Sequence, residues 1–133
     1  MILVLVDTSV WIPFLRGEDI KGVDKFLSIL NADIPFGINP FIYQELLQGA
    51  KTEREFKNLK KYLDTQKIYF LKDQVESYAN AAQIYYRCRK KGITVSSTID
   101  CLIVQTAVEH NLMLLHEDSD FDRIARVVKL RMF

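Results

Sequence analysis

Five consecutive apolar residues, Ile2-Leu3-Val4-Leu5-Val6, run without a polar interruption directly into Asp7. An alternating pattern would leave one face of a strand to water. A continuous, largely β-branched run predicts instead a strand covered on both faces, and such strands belong to parallel sheets packed between helices. The rest of the chain must therefore supply two layers of helix, joined to further short apolar strands.

It carries the signals for both. Val10–Arg16 reads as a short helix limited by Pro13, and Ile20–Leu30 as a second, with Val23, Phe26, Leu27 and Leu30 at helical spacing. A short extended piece over Ile34–Ile38 precedes Asn39-Pro40, an N-cap and first-turn pair that starts a helix through Gly49. Thr52 and Glu55 form a capping box for a helix to Asp64, Lys67–Leu71 reads as a strand, and Asp73 with Glu76 repeats the cap pattern before a long helix ending at Gly92. Ser96 or Ser97 caps a helix to His110, Leu112–Leu115 is a strand, Ser119–Arg126 a short helix, and Val127–Met132 a closing strand. Strands alternating with helices require right-handed crossovers, so the expected fold class is α/β, a three-layer α/β/α sandwich with a mainly parallel central sheet.

At 133 residues and 49% apolar, without a Pro/Gly/Ser-rich linker or internal repeat, the chain is read as one domain over residues 1–133. No apolar stretch approaches the roughly 20 residues of a membrane-spanning helix, and the N-terminal run lacks a basic leader and a cleavage site. Cys88 and Cys101 have no zinc-ligand spacing, so a reducing cytoplasm is the expected location, with no membrane association. A net charge of +1 gives no global attraction to nucleic acid, so any such attraction has to be local.

Chemistry enters with carboxylates set among apolar residues. Asp7 ends the first strand, Glu45 lies in Ile42-Tyr43-Gln44-Glu45-Leu46-Leu47, Asp100 in Ile99-Asp100-Cys101-Leu102-Ile103-Val104, and Asp118 follows Leu112-Met113-Leu114-Leu115. A carboxylate without a partner in low dielectric costs several kcal/mol, roughly, so it pairs, protonates or binds a cation. Each has a plainer reading as well. Asp7 suits a helix N-cap, Glu45 a solvated helix face, and Asp118 begins the acidic run Asp118-Ser119-Asp120-Phe121-Asp122, favourable at a helix N-terminus. Asp100 is the hardest to explain that way, because no basic residue lies one helical turn from it. In open parallel sheets, ligands bind beyond the carboxyl ends of strands, where Asp7 and Asp118 fall and which the early turns of the helices carrying Glu45 and Asp100 can face. Four carboxylates converging there would make a metal site.

These phrases resemble the PIN domains, and among them the VapC-type toxins of prokaryotic toxin–antitoxin pairs. The resemblance rests on Val6-Asp7-Thr8-Ser9-Val10-Trp11-Ile12 followed by Leu15-Arg16-Gly17, on Glu45-Leu46-Leu47-Gln48-Gly49, on Thr98-Ile99-Asp100-Cys101-Leu102-Ile103, and on Leu114-Leu115-His116 leading into Asp118-Ser119-Asp120-Phe121. It covers essentially the whole chain. It implies an endoribonuclease using Mg²⁺ or Mn²⁺, with Asp7, Glu45, Asp100 and Asp118 as the acidic quartet and Ser9 or Thr8 as the small polar residue supporting it; beside the quartet, Asp120 or Asp122 stands near enough in sequence to assist Asp118. It also implies a small VapB-like antitoxin as partner and a homodimer. Many relatives carry a basic residue just before the Asp100 helix, where this chain has Ser96-Ser97.

The chemistry suits the residues. Bare carboxylates repel a phosphodiester, whereas carboxylates holding a divalent cation neutralise charge and lower the pKa of a water. Oxygen ligands without histidine or cysteine match Mg²⁺ or Mn²⁺, with Asp7 and Asp100 expected to hold the main ion. Two basic patches are candidates for RNA contact: Arg54, Lys57 and Lys61, and Arg87, Arg89, Lys90 and Lys91, the latter also placed to suit a helix C-terminus. Tyr78, Tyr85 and Tyr86 read as packing or interface residues, and His110 and His116 as core or surface residues. Trp11-Ile12-Pro13-Phe14-Leu15 carries more apolar bulk than one helix face buries, so a leftover patch there is a candidate docking groove for an antitoxin helix. A haloacid-dehalogenase-like phosphohydrolase is the alternative enzyme, but it requires a second Asp where Ser9 stands. A non-catalytic PIN-like binding module does not explain why all four acids are present.

Overall fold

The computed structural model describes residues 1–133. Four strands form one parallel sheet in the order β2-β1-β3-β4, with β1 at Val4–Val6, β2 at Phe36–Gly37, β3 at Met113–Leu115 and β4 at Arg131–Met132. Val4 pairs with both Phe36 and Met113, and Val6 with Leu115. The strand at the centre is therefore the unbroken apolar run, and Val4, Leu5 and Val6 are fully buried.

Seven helices cover the sheet: α1 (Thr8–Leu15), α2 (Lys21–Asn31), α3 (Pro40–Gln48), α4 (Glu53–Leu63), α5 (Glu76–Lys90), α6 (Thr98–Glu109) and α7 (Ser119–Ile124). The core packs Trp11, Phe26, Ile29, Ile42, Leu63, Ile103, Phe121 and Ile124 against the strands. A buried polar chain fixes α3 against α6. Asn39 caps α3 by accepting Ile42 N–H at 2.9 Å, and its amide donates to Thr106 Oγ1 at 3.1 Å, while that hydroxyl donates to Leu102 O at 2.9 Å. Because every group in this chain is satisfied, burial costs little and the relative placement of the two helices is specific. No helix is long and apolar enough to cross a membrane.

Several elements differ from the sequence expectation. The strand expected over Lys67–Leu71 is reduced to one parallel bridge, Ile38 with Ile68, beyond β2. Ile38 N–H donates to Lys67 O and Tyr69 N–H to Ile38 O, but farther on the backbone turns to side chains of the α6 end: Lys72 N–H donates to Glu109 Oε1, and Phe70 O meets His110 Nε2. The closing strand shrinks to Arg131–Met132 because Val127 and Val128 both donate their amides back to Ile124 O, which removes them from the ladder. Helix α1 begins at Thr8, two residues early, because Asp7 caps it. Helix α5 begins at Glu76, where Asp73 Oδ1 accepts the amides of Val75 and Glu76.

The leftover patch expected at 11–15 is also smaller. Trp11 is fully buried, its ring 4.9 Å from Phe26 and 5.9 Å from Phe14 between centroids, and only Leu15 of the segment is exposed. Edge-to-face contacts of this kind add to the burial of each ring.

Two glycines make the packing testable. A Cβ on Gly37 would lie 2.5 Å from the Lys67 carbonyl oxygen, which the Ile38–Ile68 bridge holds in place, whereas a Cβ on Gly22 meets the flexible, exposed side chain of Glu117 at 2.6 Å. Gly37→Ala is expected to destabilise the fold by about 1–3 kcal/mol, while Gly22→Ala, inside α2, is neutral or gains up to about 1 kcal/mol of helix propensity. Urea unfolding of the pair checks this, and equal midpoints would refute it.

Candidate metal centre

The carboxyl ends of the two central strands, β1 and β3, emerge side by side, joined by Asp7 N–H donating to Leu115 O at 2.9 Å. One hydroxyl, in the first turn of α1, ties the segments that follow them. Ser9 Oγ donates to Asp7 Oδ2 at 2.6 Å and accepts Glu117 N–H at 2.9 Å, and Ser9 N–H donates to the same Asp7 oxygen at 3.0 Å. Asp7 is buried, and burial pushes its carboxyl above the ordinary value while the Ser9 bonds pull it back. Its plainer role as helix cap is thus real, and it is compatible with ligation because a carboxylate has two oxygens.

Helix α6 brings Asp100 to the same edge in its first turn, and α7 brings Asp118 as its N-cap, with Oδ1 accepting Asp120 N–H at 3.0 Å. Carboxylate oxygens of Asp100, Asp118 and Asp120 all lie within 4.8 Å of one another. Asp100 is pushed up to about 7, first by burial and then by the charges of Asp118, Asp7 and Glu45, with no hydrogen bond to hold it down. Glu45, on α3, is raised by partial shielding and then by Asp7, and its Oε1 accepts from Thr8 Oγ1 at 3.4 Å. Glu45 itself is exposed although Leu46 and Leu47 beside it are buried. It therefore stands at the rim, a correction to the expectation that all four acids sit in comparably apolar surroundings.

Asp120 behaves differently. It is buried, accepts from Ser96 Oγ and pairs with Arg123 one turn along α7, so its charge is already compensated. Arg123 was not singled out in the sequence, although its spacing three residues after Asp120 is the helical ion-pair signal. Ser96, in the turn before α6, serves the acidic cluster directly through Asp120. What remains is a set of carboxylate oxygens with a net excess of negative charge and one half-buried member without a protein partner. That donor set fits a hard divalent cation: oxygens of Asp100 and Asp118 lie together with one of Asp120, while Asp7 and Glu45 fall outside that group of three but are near enough for their charges to raise the Asp100 carboxyl.

Three of the basic candidates, on α5, already have partners. Arg87 donates to Val127 O at 2.7 Å and so anchors the turn after α7, while Arg89 and Lys90 lie over the rings of Tyr85 and Tyr86. Tyr78, Tyr85 and Tyr86 border a cavity of about 360 Å³ between α5 and α6, on the side of α6 given by Thr98, Cys101 and Leu102.

The domain model of the PIN family matches residues 4–127. The chain belongs to the PIN-domain family. Among curated PIN relatives, the VapC ribonuclease Mb1587 of Mycobacterium bovis is 30% identical over 130 residues, 97% of this chain and 96% of that protein. Ribonuclease VapC11 of Mycobacterium tuberculosis matches to the same extent, 30% over 97% and 96% of the two chains. The PIN fold recurs in solved structures. VapBC2 from Rickettsia felis, bound to a promoter DNA fragment, superposes with a TM-score of 0.75 at 15% identity over 99% of this chain and 98% of that one. DNA-bound VapBC from Salmonella typhimurium gives 0.75 at 18% identity over 100% and 98%.

The charge imbalance predicts a pH dependence for the metal-free PIN domain. Because the Asp100 carboxyl lies at about 7 in the fold against 3.8 in its absence, its favourable contribution is complete below pH 4 and is lost as pH rises through 7. Asp100→Asn removes this loss. We expect the variant to match wild type near pH 5 and to exceed it by about 2 kcal/mol at pH 8, allowing for solvent screening of a half-buried group. Chemical unfolding in EDTA at the two pH values measures it, and a variant less stable than wild type at pH 8 would contradict the assignment.

Proposed function

We propose that this chain is a metal-dependent endoribonuclease, the toxin of a VapBC-type pair, that uses Asp7, Glu45, Asp100 and Asp118 to hold Mg²⁺ or Mn²⁺ and hydrolyses RNA phosphodiesters in the cytoplasm. The observation that carries the reading is the Asp100 carboxylate, half-buried, unpartnered and pressed by three other acids. A bound divalent cation supplies charge neutralisation for the phosphate and a water of lowered pKa.

The protein's own residues do the rest. Ser9 orients the Asp7 carboxylate, Thr8 reaches Glu45, and the N-cap position of Asp118 keeps one of its oxygens within 4.8 Å of one on Asp100. Glu45, exposed at the rim, is placed to accept a proton from the attacking water or to orient it. The alternative phosphohydrolase needs a carboxylate where Ser9 stands, and Ser9 is committed to Asp7. A non-catalytic module leaves the unpaired charge without a purpose.

A small VapB-like antitoxin is the proposed protein partner, as the names of the similar complexes indicate. Leu15, Leu27 and Leu30, exposed on α1 and α2, with Tyr62 at the edge of the Trp11 cluster, offer apolar surface for an amphipathic segment. The exposed Val75, Tyr78, Tyr85 and Tyr86 along α5 support a homodimer.

Purified protein with labelled tRNA or ribosomal RNA should cleave in Mg²⁺ or Mn²⁺ and stop in EDTA. Asp7→Asn and Asp100→Asn should lower the rate by at least about 100-fold and Glu45→Gln by less, with folding intact by circular dichroism. Normal cleavage by Asp100→Asn would sink the reading.

A further inference from the structure

His116 sits beside the acidic cluster with no task in the reading above, yet its surroundings are built. Its side chain is 9% exposed, and its ring packs on Phe121 with centroids 5.1 Å apart. Nδ1 accepts the backbone N–H of Asp118 at 3.0 Å, and Nε2 lies 3.4 Å from Asp122 Oδ1. A ring nitrogen that accepts carries no proton, so the ring proton is on Nε2, facing a carboxylate. Both nitrogens and one face of the ring are thereby constrained.

What the ring holds is the turn that delivers Asp118. Beyond β3 the chain leaves the ladder before α7 begins, and the amides of Glu117 and Asp118 have no backbone acceptor. Ser9 Oγ takes the first and His116 Nδ1 the second. The bond from residue 118 back to the side chain of residue 116 reproduces the geometry of an Asx-turn, with imidazole in place of the usual carboxamide or carboxylate. Losing it frees the N-cap carboxylate whose oxygens lie within 4.8 Å of those of Asp100 and Asp120.

We propose that His116 is a positioning residue of the metal centre, holding the Asp118 carboxylate at the separation from Asp100 at which both take one cation. The proposal rests on the reading that the acidic cluster binds a divalent metal. It distinguishes two properties of the ring: its bulk against Phe121 and its acceptor nitrogen. His116→Phe keeps the first and removes the second. His116→Asn removes the bulk but restores an acceptor that bonds two residues on, the arrangement asparagine adopts by preference.

The test is Mn²⁺ binding to metal-free protein, followed by the electron paramagnetic resonance of free Mn²⁺, together with the melting temperature in EDTA. His116→Phe should bind Mn²⁺ about tenfold more weakly while melting near wild type, and His116→Asn should stay within about threefold of wild-type affinity even if it melts lower. That inverse pattern is one a purely structural role does not give. Wild-type affinity in His116→Phe, or an equal loss in both variants, overturns the proposal. Should His116→Phe fail to fold, nuclear magnetic resonance of the wild type decides. A through-hydrogen-bond coupling between the Asp118 amide nitrogen and His116 Nδ1, with near wild-type Mn²⁺ binding by His116→Asn, upholds the role, and absence of either rejects it. Wild-type protein without saturable Mn²⁺ binding would instead overturn the metal-centre reading itself.

Discussion

The hydroxyl of Ser9 is bonded on both sides, donating to Asp7 and accepting from the amide of Glu117, and it is the only side chain that joins the first turn of α1, directly after β1, to the loop after β3 at the Asp7 carboxylate. These are neighbouring central strands, so the segment after each delivers acid to one edge. Like charges brought together there repel, and a hydrogen bond to a charged group is worth about 1.5–3 kcal/mol. The bond to Asp7 offsets part of the cost of burying that carboxylate, and the bond from Glu117 holds the second loop in register while it does so. Only a small hydroxyl can serve both, since it donates once and accepts at the same atom.

Compensation across the site is uneven, and the unevenness has chemical meaning. Asp7 has Ser9, Asp118 caps α7, and Asp120 has both Ser96 and Arg123. Asp100 has nothing but the charges of its neighbours. A cluster built for stability would distribute cations among its acids, as Asp120 and Arg123 do. Here one member is left uncompensated, so the fold stores unfavourable electrostatic energy that a divalent cation can relieve. The cost is met by the surrounding core, whose central strands β1 and β3 and α6 are among the most buried parts of the chain.

The same contrast separates the two faces of α6. Its first turn carries the half-buried Asp100 at the acidic edge, and Thr98, Cys101 and Leu102 border the tyrosine-lined cavity toward α5. Arg89 and Lys90 lie against Tyr85 and Tyr86 there, and Arg87 is spent on the Val127 carbonyl. The basic end of α5 is therefore partly a packing device, with long side chains laid along aromatic surface. A run of positive residues in a sequence does not reveal such commitments, because each is made with a residue distant in the chain or on a neighbouring helical turn.

Much of the molecule was legible in the chain itself. The apolar run before Asp7 defined a central parallel strand, the caps at Asn39, Thr52 and Ser97 marked helix starts, and Asp7, Asp118 and Asp100 lay after strands or in a first helical turn, because these signals depend on local periodicity and on hydrogen bonds spanning a few residues. Tertiary structure decided the rest. Whether 67–71 pairs as a strand depended on Glu109 and His110, at the far end of α6. Whether Glu45 is buried depended on where α3 lies against its neighbours, and whether Asp120 is free depended on Ser96 and Arg123. The sequence by itself determined which residues can carry charge at one edge of the sheet. Only the folded chain decided which of those charges are already satisfied, since a carboxylate's partners are set by distances in space and not by its neighbours along the chain.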